Sequence, residues 1–383
     1  MGRRKRMNRK IWTLEEKLSI VLEMMKGETS VTKICQRYQV SATQANRWRD
    51  MFLEGGKKEV VMYKLRTLIA IGITLSFIFT SCGKEDIFPR DVVKTISIEG
   101  DPQAIAVHPD GDYVYVGYGS YGQSSGISVI STEDKTILVN IQTGFPNDIT
   151  LLPSGEYIYV PSAIDESTTV VTVIRTSDNS KVKDIQLGNQ PIYITAPNNE
   201  YVYVTQPTIG HVGIIRTSDN AKVDSIKVGY GLTSIAPHPD GEYVYVSIYD
   251  TIKVIETSFN TVADVIPVEK RASYITVNPK GDYVYVAHEH YNEVSVIQTS
   301  DKTVVTRIPV WDHPSGIAVL PNGKYYYVAN YGDNNVSIIR VSDNSIIENI
   351  EVGNGPKDIA TLPNGEYVYV VNRQDGAVAI IGD

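Results

Sequence analysis

Residues 111–116 read Gly-Asp-Tyr-Val-Tyr-Val, and a tyrosine–x–tyrosine–valine motif recurs through the rest of the chain. Its seven copies begin at Tyr113, Tyr157, Tyr201, Tyr243, Tyr283, Tyr325 and Tyr367. Successive copies are separated by 44, 44, 42, 40, 42 and 42 residues. A period of about 40–45 residues filled with short strands predicts the blades of a β-propeller, each blade being a four-stranded sheet.

Each repeat unit has the same order of strand and turn signals. An apolar run such as AIAVHP (104–109) leads through an Asp-Gly turn into the tyrosine motif, and a third run such as GISVIST (126–132) follows. A polar turn then leads into a fourth run such as KTILVNIQTG (135–144). Because alternate residues of a strand share one face, we expect the tyrosines and the valines to pack on opposite faces of each sheet.

The two ends of the repeat region are each incomplete. The last unit stops after GAVAIIGD (376–383), a third strand without a fourth, and DVVKTISIEG (91–100) reads as a fourth strand without its first three. We expect the two ends to complete one blade together, which closes the ring and removes an open sheet edge. The sequence therefore predicts a mainly β fold, a seven-bladed β-propeller of four-stranded blades over residues 91–383.

Several of these stretches are similar to a known repeat. GDYVYVA (281–287), GKYYYVAN (323–330) and TSDNSKV (176–182) resemble the YVTN-repeat propellers of bacterial and archaeal surface or periplasmic proteins, over essentially all of residues 91–383. The resemblance implies the propeller fold and a location outside the cytoplasm. It does not name an activity, since its members include surface-layer proteins, so function has to be argued from a site.

The charge balance divides the chain into two parts. Residues 1–60 contain 14 Lys and Arg against 7 Asp and Glu, whereas residues 91–383 contain 18 against 35, a net charge of −17. The basic part is suited to bind nucleic acid, whereas the acidic part would be repelled by the phosphate groups of a nucleic-acid backbone. The two cysteines, Cys35 and Cys82, both precede the propeller, so thiolate metal or redox chemistry and a disulfide framework are excluded there. We expect no cofactor.

Residues 1–60 are predicted to form a small, basic, all-α helix-turn-helix domain. Thr13 begins the first helix, with Glu16 three positions later, and a tight YQVS turn (38–41) separates the second helix from the third. The stretch 12–56 resembles the N-terminal helix-turn-helix of insertion-sequence transposases, without a catalytic carboxylate triad. A basic helical bundle with no role in DNA binding stays open as an alternative. The candidate DNA-binding residues are Arg3, Arg4, Lys5, Arg6, Thr43, Gln44, Asn46 and Arg47.

Residues 62–84 have the layout of a secretory signal. Lys64 and Arg66 precede an apolar run from 68 to 79, and Thr80-Ser81-Cys82 follows. The segment resembles a bacterial lipoprotein signal with Cys82 as the lipidated residue, although Phe79 stands where that family has an aliphatic residue. Residues 85–90 would then tether the propeller to the membrane, in the periplasm or at the cell surface. An export signal behind a DNA-binding domain suggests that translation starts at Met62 or that an insertion-element fragment has fused upstream.

A membrane-spanning helix is the alternative for the same segment. The uncharged run over residues 67–83 has 17 residues, at the short end of the roughly 17–25 that cross a bilayer. The chain would then be an inner-membrane, one-component regulator with its N-terminus in the cytoplasm, a DNA-binding helix-turn-helix and an external propeller sensor.

Loop sequences indicate which face of the propeller recognises a ligand. The turns after the first and third strands repeat almost unchanged, for example Pro109-Asp110-Gly111 and Thr176-Ser177-Asp178, and both lie on one side of a propeller. Loops on the opposite side differ in every unit and carry aromatic and polar residues suited to recognition, although unconstrained drift would also produce variation. The ligand-face candidates are Tyr118, Tyr121, Phe145, Tyr230, Tyr249, Arg271, His288, His290, Trp311, His313, Tyr331 and Arg373.

These observations favour a binding module for a protein, glycan or small ligand over an enzyme. The second hypothesis is a propeller hydrolase or lactonase with a site built from His288, His290 and His313. The alternation of His288 and His290 makes them weak metal-ligand candidates, with His313 or Glu293 as a third ligand, although such a pair is more commonly part of a polar loop. The acidic residues fall mostly in turns, and we expect no carboxylate pair to act as an acid–base couple.

Overall fold

The computed structural model describes residues 88–383 except 120–123 and 166–167, together with Ile20, Arg37 and Tyr38. The chain divides into two units, Met1–Glu85 and Asp86–Asp383. The residues predicted to contact DNA, the apolar segment 62–84 with Cys82, and the ligand-face candidate Tyr121 all lie outside the described residues. Within the described residues, no helix has the length and hydropathy needed to cross a bilayer.

The described part of the second unit contains 29 β-strands arranged in seven antiparallel sheets. The first strand is β1 (Asp91–Ser97). Blade 1 consists of β2 (Pro102–Val107), β3 (Tyr113–Gly119), β4 (Ser125–Ser131) and β5 (Thr136–Gln142). Blade 2 consists of β6 (Phe145–Pro146), β7 (Thr150–Leu151), β8 (Tyr157–Ala163), β9 (Thr169–Arg175) and β10 (Ser180–Gln186). Blade 3 consists of β11 (Ile194–Thr195), β12 (Tyr201–Gln206), β13 (His211–Arg216) and β14 (Ala221–Lys227).

The remaining blades have the same order of strands. Blade 4 consists of β15 (Leu232–Pro237), β16 (Tyr243–Ile248), β17 (Thr251–Glu256) and β18 (Thr261–Pro267). Blade 5 consists of β19 (Tyr274–Val277), β20 (Tyr283–His288), β21 (Glu293–Gln298) and β22 (Thr303–Pro309), with a short 3-10 helix, Glu289–Tyr291, between β20 and β21. Blade 6 consists of β23 (Pro314–Val319), β24 (Tyr325–Asn330), β25 (Asn335–Arg340) and β26 (Ile346–Glu351). Blade 7 consists of β27 (Pro356–Thr361), β28 (Val368–Asn372), β29 (Ala377–Gly382) and, as its outermost strand, β1.

The prediction of seven four-stranded blades is confirmed, and so is the way in which the ring closes. Strand β1 pairs antiparallel with β29 from Asp91↔Gly382 to Ser97↔Ala377. The packing extends to residues just before β1, because the Phe88 ring lies 4.3 Å from that of Tyr325 and the Tyr327 hydroxyl donates to the Pro89 carbonyl at 2.7 Å. The end of the predicted tether therefore packs on blade 6, next to the closing blade.

The tyrosine motif explains much of the packing between blades. The second tyrosine of each copy is buried. The Tyr159 hydroxyl donates to Asn220 Oδ1 of the next blade at 2.5 Å, and Tyr203 donates to Asn260 Oδ1 at 2.6 Å. Both asparagines adopt the left-handed conformation, with φ of 52°, that the turn before the outermost strand requires. The motif therefore joins the inner strands of one blade to a turn of its neighbour.

The repeated turns form one side of the propeller, the turn face, and are bonded to each other. Thr176 Oγ1 donates to the Gly155 carbonyl at 2.7 Å, which joins the two turns of blade 2. His108 bonds the same carbonyl from blade 1 through Nε2 at 3.0 Å, while its Nδ1 lies 2.6 Å from Asp110 Oδ1. These contacts give the near-identical turn sequences a structural explanation.

The outer edge of every blade contains a β-bulge. The pairing register shifts once along each outermost strand. In blades 1 and 5 the displaced residues, Leu138 and Val305, are about half exposed. A bulge twists an edge strand away from the flat geometry that another chain could extend, so this feature protects the rim of the propeller from edge-to-edge association.

Candidate functional site

The central channel is lined by one varied position of the innermost strands. The residue that precedes a buried isoleucine lines the channel in six of the seven blades, as Ala104, Asp148, Tyr193, Ser234, Tyr274 and Asp358, and in blade 6 this position is Gly316. The side chains enclose a cavity of about 510 Å³. Because this position varies from blade to blade while the isoleucine after it does not, packing alone does not determine the residue there.

Two carboxylates face this cavity, and each joins two blades. Asp148 Oδ1 accepts from the N–H of Ile149 at 2.8 Å, and its Oδ2 accepts from that of Ile194 in blade 3 at 2.9 Å. Asp358 accepts in the same way from Ile359 at 2.9 Å and from Ile105 in blade 1 at 3.0 Å. The two carboxylates are 210 residues apart in the sequence, and the closed ring brings both of them to one channel.

The channel changes the acidity of both groups. The pKa of Asp148 is raised to about 8, mainly by burial and also by the nearby charge of Asp358, although the hydrogen bonds from two N–H groups lower it. Burial also raises the pKa of Asp358, to about 6. The hydrogen bonds from two N–H groups, the charge of Lys357 and a hydrogen bond with Tyr274 partly offset the effect of burial. Both carboxyl groups therefore keep a proton to a higher pH than an exposed aspartate does, and burial beside them raises the pKa of Tyr274 well above its ordinary value.

The channel opens on the variable face through a mouth of about 120 Å³. The mouth is lined by Tyr193, Thr233, Arg271, Ser273, Glu289, His290, Ser315 and Lys357. Arg373 lines the channel beside it. The structure thus brings together three of the sequence-predicted residues, Arg271, His290 and Arg373, with Lys357 from the loop that enters blade 7.

The two arginines near the mouth, Arg271 and Arg373, differ from four other arginines of the propeller. Arg175, Arg216 and Arg340 each pair with an aspartate three residues later, and Arg307 pairs with Glu269. In the described part of the chain, Arg271, Lys357 and Arg373 have no carboxylate within ion-pairing distance. Three cations therefore converge at one concave site of a propeller with a net charge of −17, with Glu289 and Asp358 as the neighbouring carboxyl groups.

His288 has a structural position rather than an exposed one. It is the last residue of β20 and is fully buried. Its Nδ1 bonds the Arg271 carbonyl at 3.1 Å and its Nε2 bonds Ser295 Oγ at 2.8 Å. Burial lowers the pKa of the ring, which favours the neutral form. The prediction that His288 is part of a ligand-facing loop is therefore corrected: it holds the loop that carries Arg271.

The prediction that Tyr118 faces a ligand is corrected in the same way, because this residue lies in β3 and its side chain is fully buried. Tyr230, Tyr249 and Trp311 are exposed on the variable face, and Phe145, His313, Tyr331 and Arg373 are partly exposed.

The metal hypothesis finds no support in the geometry. Both ring nitrogens of His288 are engaged, and the ring of His290 packs instead against that of His313, with centroids 6.1 Å apart. Glu293 pairs with Lys270 at 2.7 Å. Among the described residues, no group of three or more His, Cys, Asp or Glu side chains is arranged to hold a metal ion.

Comparison with known proteins supports the fold and gives one hint about chemistry. Residues 274–382 match the family described as "Lactonase, 7-bladed beta-propeller". A structure of hydrazine synthase from Kuenenia stuttgartiensis has a TM-score of 0.67 at 20% identity, over 77% of this chain and 99% of that one. The propeller domain of Cps50 (Swd1) from Myceliophteria thermophila has a TM-score of 0.65 at 10% identity, over 76% and 100%. At these identities the likeness shows the fold alone, and no curated protein matches the chain.

Proposed function

We propose that the propeller is a binding module whose ligand site is the channel mouth on the variable face. The observation that carries this proposal is the convergence of Arg271, Lys357 and Arg373, without carboxylate partners, in a propeller that is otherwise strongly acidic. A concave site with a few convergent polar groups is the usual form of a small-ligand site. The propeller fold is in general suited to binding.

The chemistry of the mouth favours a ligand with an anionic group. Guanidinium and ammonium groups form charge-assisted hydrogen bonds with carboxylate or phosphate, and these are stronger where water is partly excluded. The hydroxyl groups of Thr233, Ser273 and Ser315 at the same mouth supply neutral donors and acceptors. A ligand with an acidic end and hydroxyl groups would use both sets.

Removal of one mouth cation tests the proposal. We expect the full-length protein to bind at least one of galacturonate, citrate and inorganic phosphate in isothermal titration calorimetry. Arg271→Gln or Lys357→Gln should weaken that binding about tenfold or more, because a hydrogen bond to a charged group contributes roughly 1.5–3 kcal/mol. Arg216→Gln is the matched control, since this arginine pairs with Asp219 on the turn face.

Two results would contradict the proposal. One is that none of the three anions binds to the folded protein. The other is that binding is equally strong in Arg271→Gln, Lys357→Gln and the Arg216→Gln control.

A hydrolase is the second candidate, favoured by the lactonase match over residues 274–382. That range includes Tyr274 and Asp358, and two buried carboxyl groups with raised pKa values suit general acid–base catalysis. The residues that would carry such chemistry are Asp148 and Asp358 rather than the buried His288. Proton release from a sugar δ-lactone, abolished in Asp358→Asn, would favour the hydrolase over the pure binding module.

We also propose that a lipid on Cys82 holds the propeller in the cell envelope. The support is the order of charged, apolar and small residues over 62–84. Mass spectrometry of the protein from native membranes should find a chain that starts at an acylated Cys82, and Cys82→Ala should leave the protein unacylated. A mature chain that retains Arg3 to Lys58 would contradict the proposal and favour the membrane-spanning regulator.

A further inference from the structure

Exposed aromatic side chains are concentrated on one sector of the variable face. Tyr230, Tyr249, Tyr291 and Trp311 have exposed fractions of 65%, 52%, 50% and 47%. They lie in loops that enter or belong to blades 4, 5 and 6, and we call them the aromatic arc. The exposed valines and leucine, in contrast, lie in the outermost strands, and the other exposed aromatics, Tyr113 and Phe259, lie towards the turn face.

The loops of the aromatic arc are bonded into a continuous rim. The N–H of Ala272 donates to the Tyr249 carbonyl at 2.6 Å, which joins the arc to the loop of Arg271. Asn292 Nδ2 donates to Asp312 Oδ1 at 3.1 Å, which joins the loops of Tyr291 and Trp311. The loops that carry these rings are therefore held together before any ligand arrives, which lowers the entropy cost of ordering them on binding.

Backbone geometry in this sector differs from that of the turn face. The left-handed positions in the turns before outermost strands are filled by Asn or Lys, for example Asn220 and Asn260. In the arc sector, Tyr249 and His313 adopt the same conformation, with φ of 46° and 55°. Bulky side chains are unfavourable there and tend to occur at functional sites, although Lys135, Lys302 and Gln190 adopt the same conformation outside this sector.

The aromatic arc adjoins the cations of the mouth. The His290 ring packs on His313 with centroids 6.1 Å apart, between Trp311 and the mouth. Lys270, next to Arg271 in the chain, lies 5.2 Å from the centroid of the Tyr291 ring. A ligand that covers the arc reaches Arg271 and Lys357 past Glu289 at the mouth, and past Asp250 and Asp312, which follow Tyr249 and Trp311 in the chain.

We propose that the aromatic arc and the mouth together bind an acidic oligosaccharide. Tyrosine and tryptophan present flat apolar faces with a polar edge, which match the apolar C–H faces and hydroxyl groups of sugar rings. The carboxylate of a uronic acid unit would bind at Arg271 and Lys357, and the mouth of about 120 Å³ admits one such group rather than a folded segment of protein. This inference rests on the proposed binding function and names the class of its ligand.

The test compares three saccharides on the full-length protein by isothermal titration calorimetry. Tetragalacturonate should bind at least tenfold more tightly than galacturonate, and neutral cellotetraose should bind more weakly than tetragalacturonate. Trp311→Ala or Tyr291→Ala should weaken tetragalacturonate binding about tenfold while leaving galacturonate binding unchanged. Phe259→Ala is the matched control, because this ring is 72% exposed and lies in a turn on the turn face.

The outcomes separate the ligand class from the proposed function. If galacturonate binds and depends on Arg271, but tetragalacturonate is no tighter or Trp311→Ala has no effect, the acidic-oligosaccharide inference is overturned while the binding function stands. If tetragalacturonate binding is lost equally in Trp311→Ala and Phe259→Ala, the arc is not its site and the inference is again overturned. If no saccharide or small anion binds to the folded protein, both proposals fail.

Discussion

A chain that lacks residues 1–98 is expected to lose the folded propeller, whereas one that lacks only residues 1–85 is expected to keep it. Without β1, strand β29 becomes an open edge although all six of its residues are buried in the closed ring. The truncation also removes the buried side chains of Phe88, Ile96 and Ile98. At roughly 1.5–3 kcal/mol for each buried apolar side chain, the loss rivals the whole stability of about 5–15 kcal/mol of a folded domain.

Guanidinium unfolding followed by circular dichroism checks this result. The chain without residues 1–85 should unfold cooperatively near the midpoint of the full chain, and the chain without residues 1–98 should show no cooperative transition or aggregate. Equal midpoints for the two truncations would show that ring closure by β1 does not stabilise the propeller.

Stability is expected to fall as pH rises from about 4 to about 8, through the contribution of the two channel carboxyls. Their pKa values are about 8 for Asp148 and about 6 for Asp358 in the folded protein, against an ordinary value of 3.8. Between the two limits the folded state binds more protons than the unfolded state, so the free energy of unfolding decreases with pH. The contribution is complete below pH 4 and is lost as pH rises through the folded pKa values.

Asp148→Asn isolates this effect because its amide resembles the protonated carboxyl group. The melting temperature of the variant relative to the wild type should increase by about 3 °C or more between pH 5 and pH 8. Asp224→Asn is the matched control: Asp224 also accepts from the N–H of the next residue, at 2.7 Å, but is exposed on an outermost strand. A difference between Asp148→Asn and wild type that stays constant with pH would contradict the assigned role of Asp148.

The fold was predictable because its main local signal is repeated seven times. The second tyrosine of the motif, as in Tyr159 and Tyr203, is buried in all seven blades. The turn contact of Thr176 recurs in four other blades, and that of His108 recurs at His238. Closure by β1 was also predictable, because a four-strand period leaves a single strand at one end and three at the other.

The site was predictable only in part. Loop variation placed Arg271, His290 and Arg373 on the correct face, but it also included Tyr118 and His288, whose strands extend one or more residues further than their loop-like sequence suggests. A histidine in the sequence His-Glu-His gives no sign that its ring bonds a loop carbonyl. That contact depends on how the loop of Arg271 folds over the end of β20.

The channel carboxyls were missed for a different reason. Asp148 and Asp358 belong to short segments that resemble turns, and they are more than two hundred residues apart, so only the closed ring brings them together. A signal was nonetheless present in the sequence. Aligning the units on the isoleucine of each innermost strand shows that the preceding position varies among Asp, Tyr, Ser, Ala and Gly, whereas the isoleucine is constant.

A crystal structure of the protein with bound galacturonate tests the central claim most directly. The account predicts the carboxylate of the sugar at the channel mouth on the variable face, within hydrogen-bonding distance of Arg271 and Lys357. A sugar bound on the turn face or at the outer edge of the blades, with the mouth empty, would contradict it.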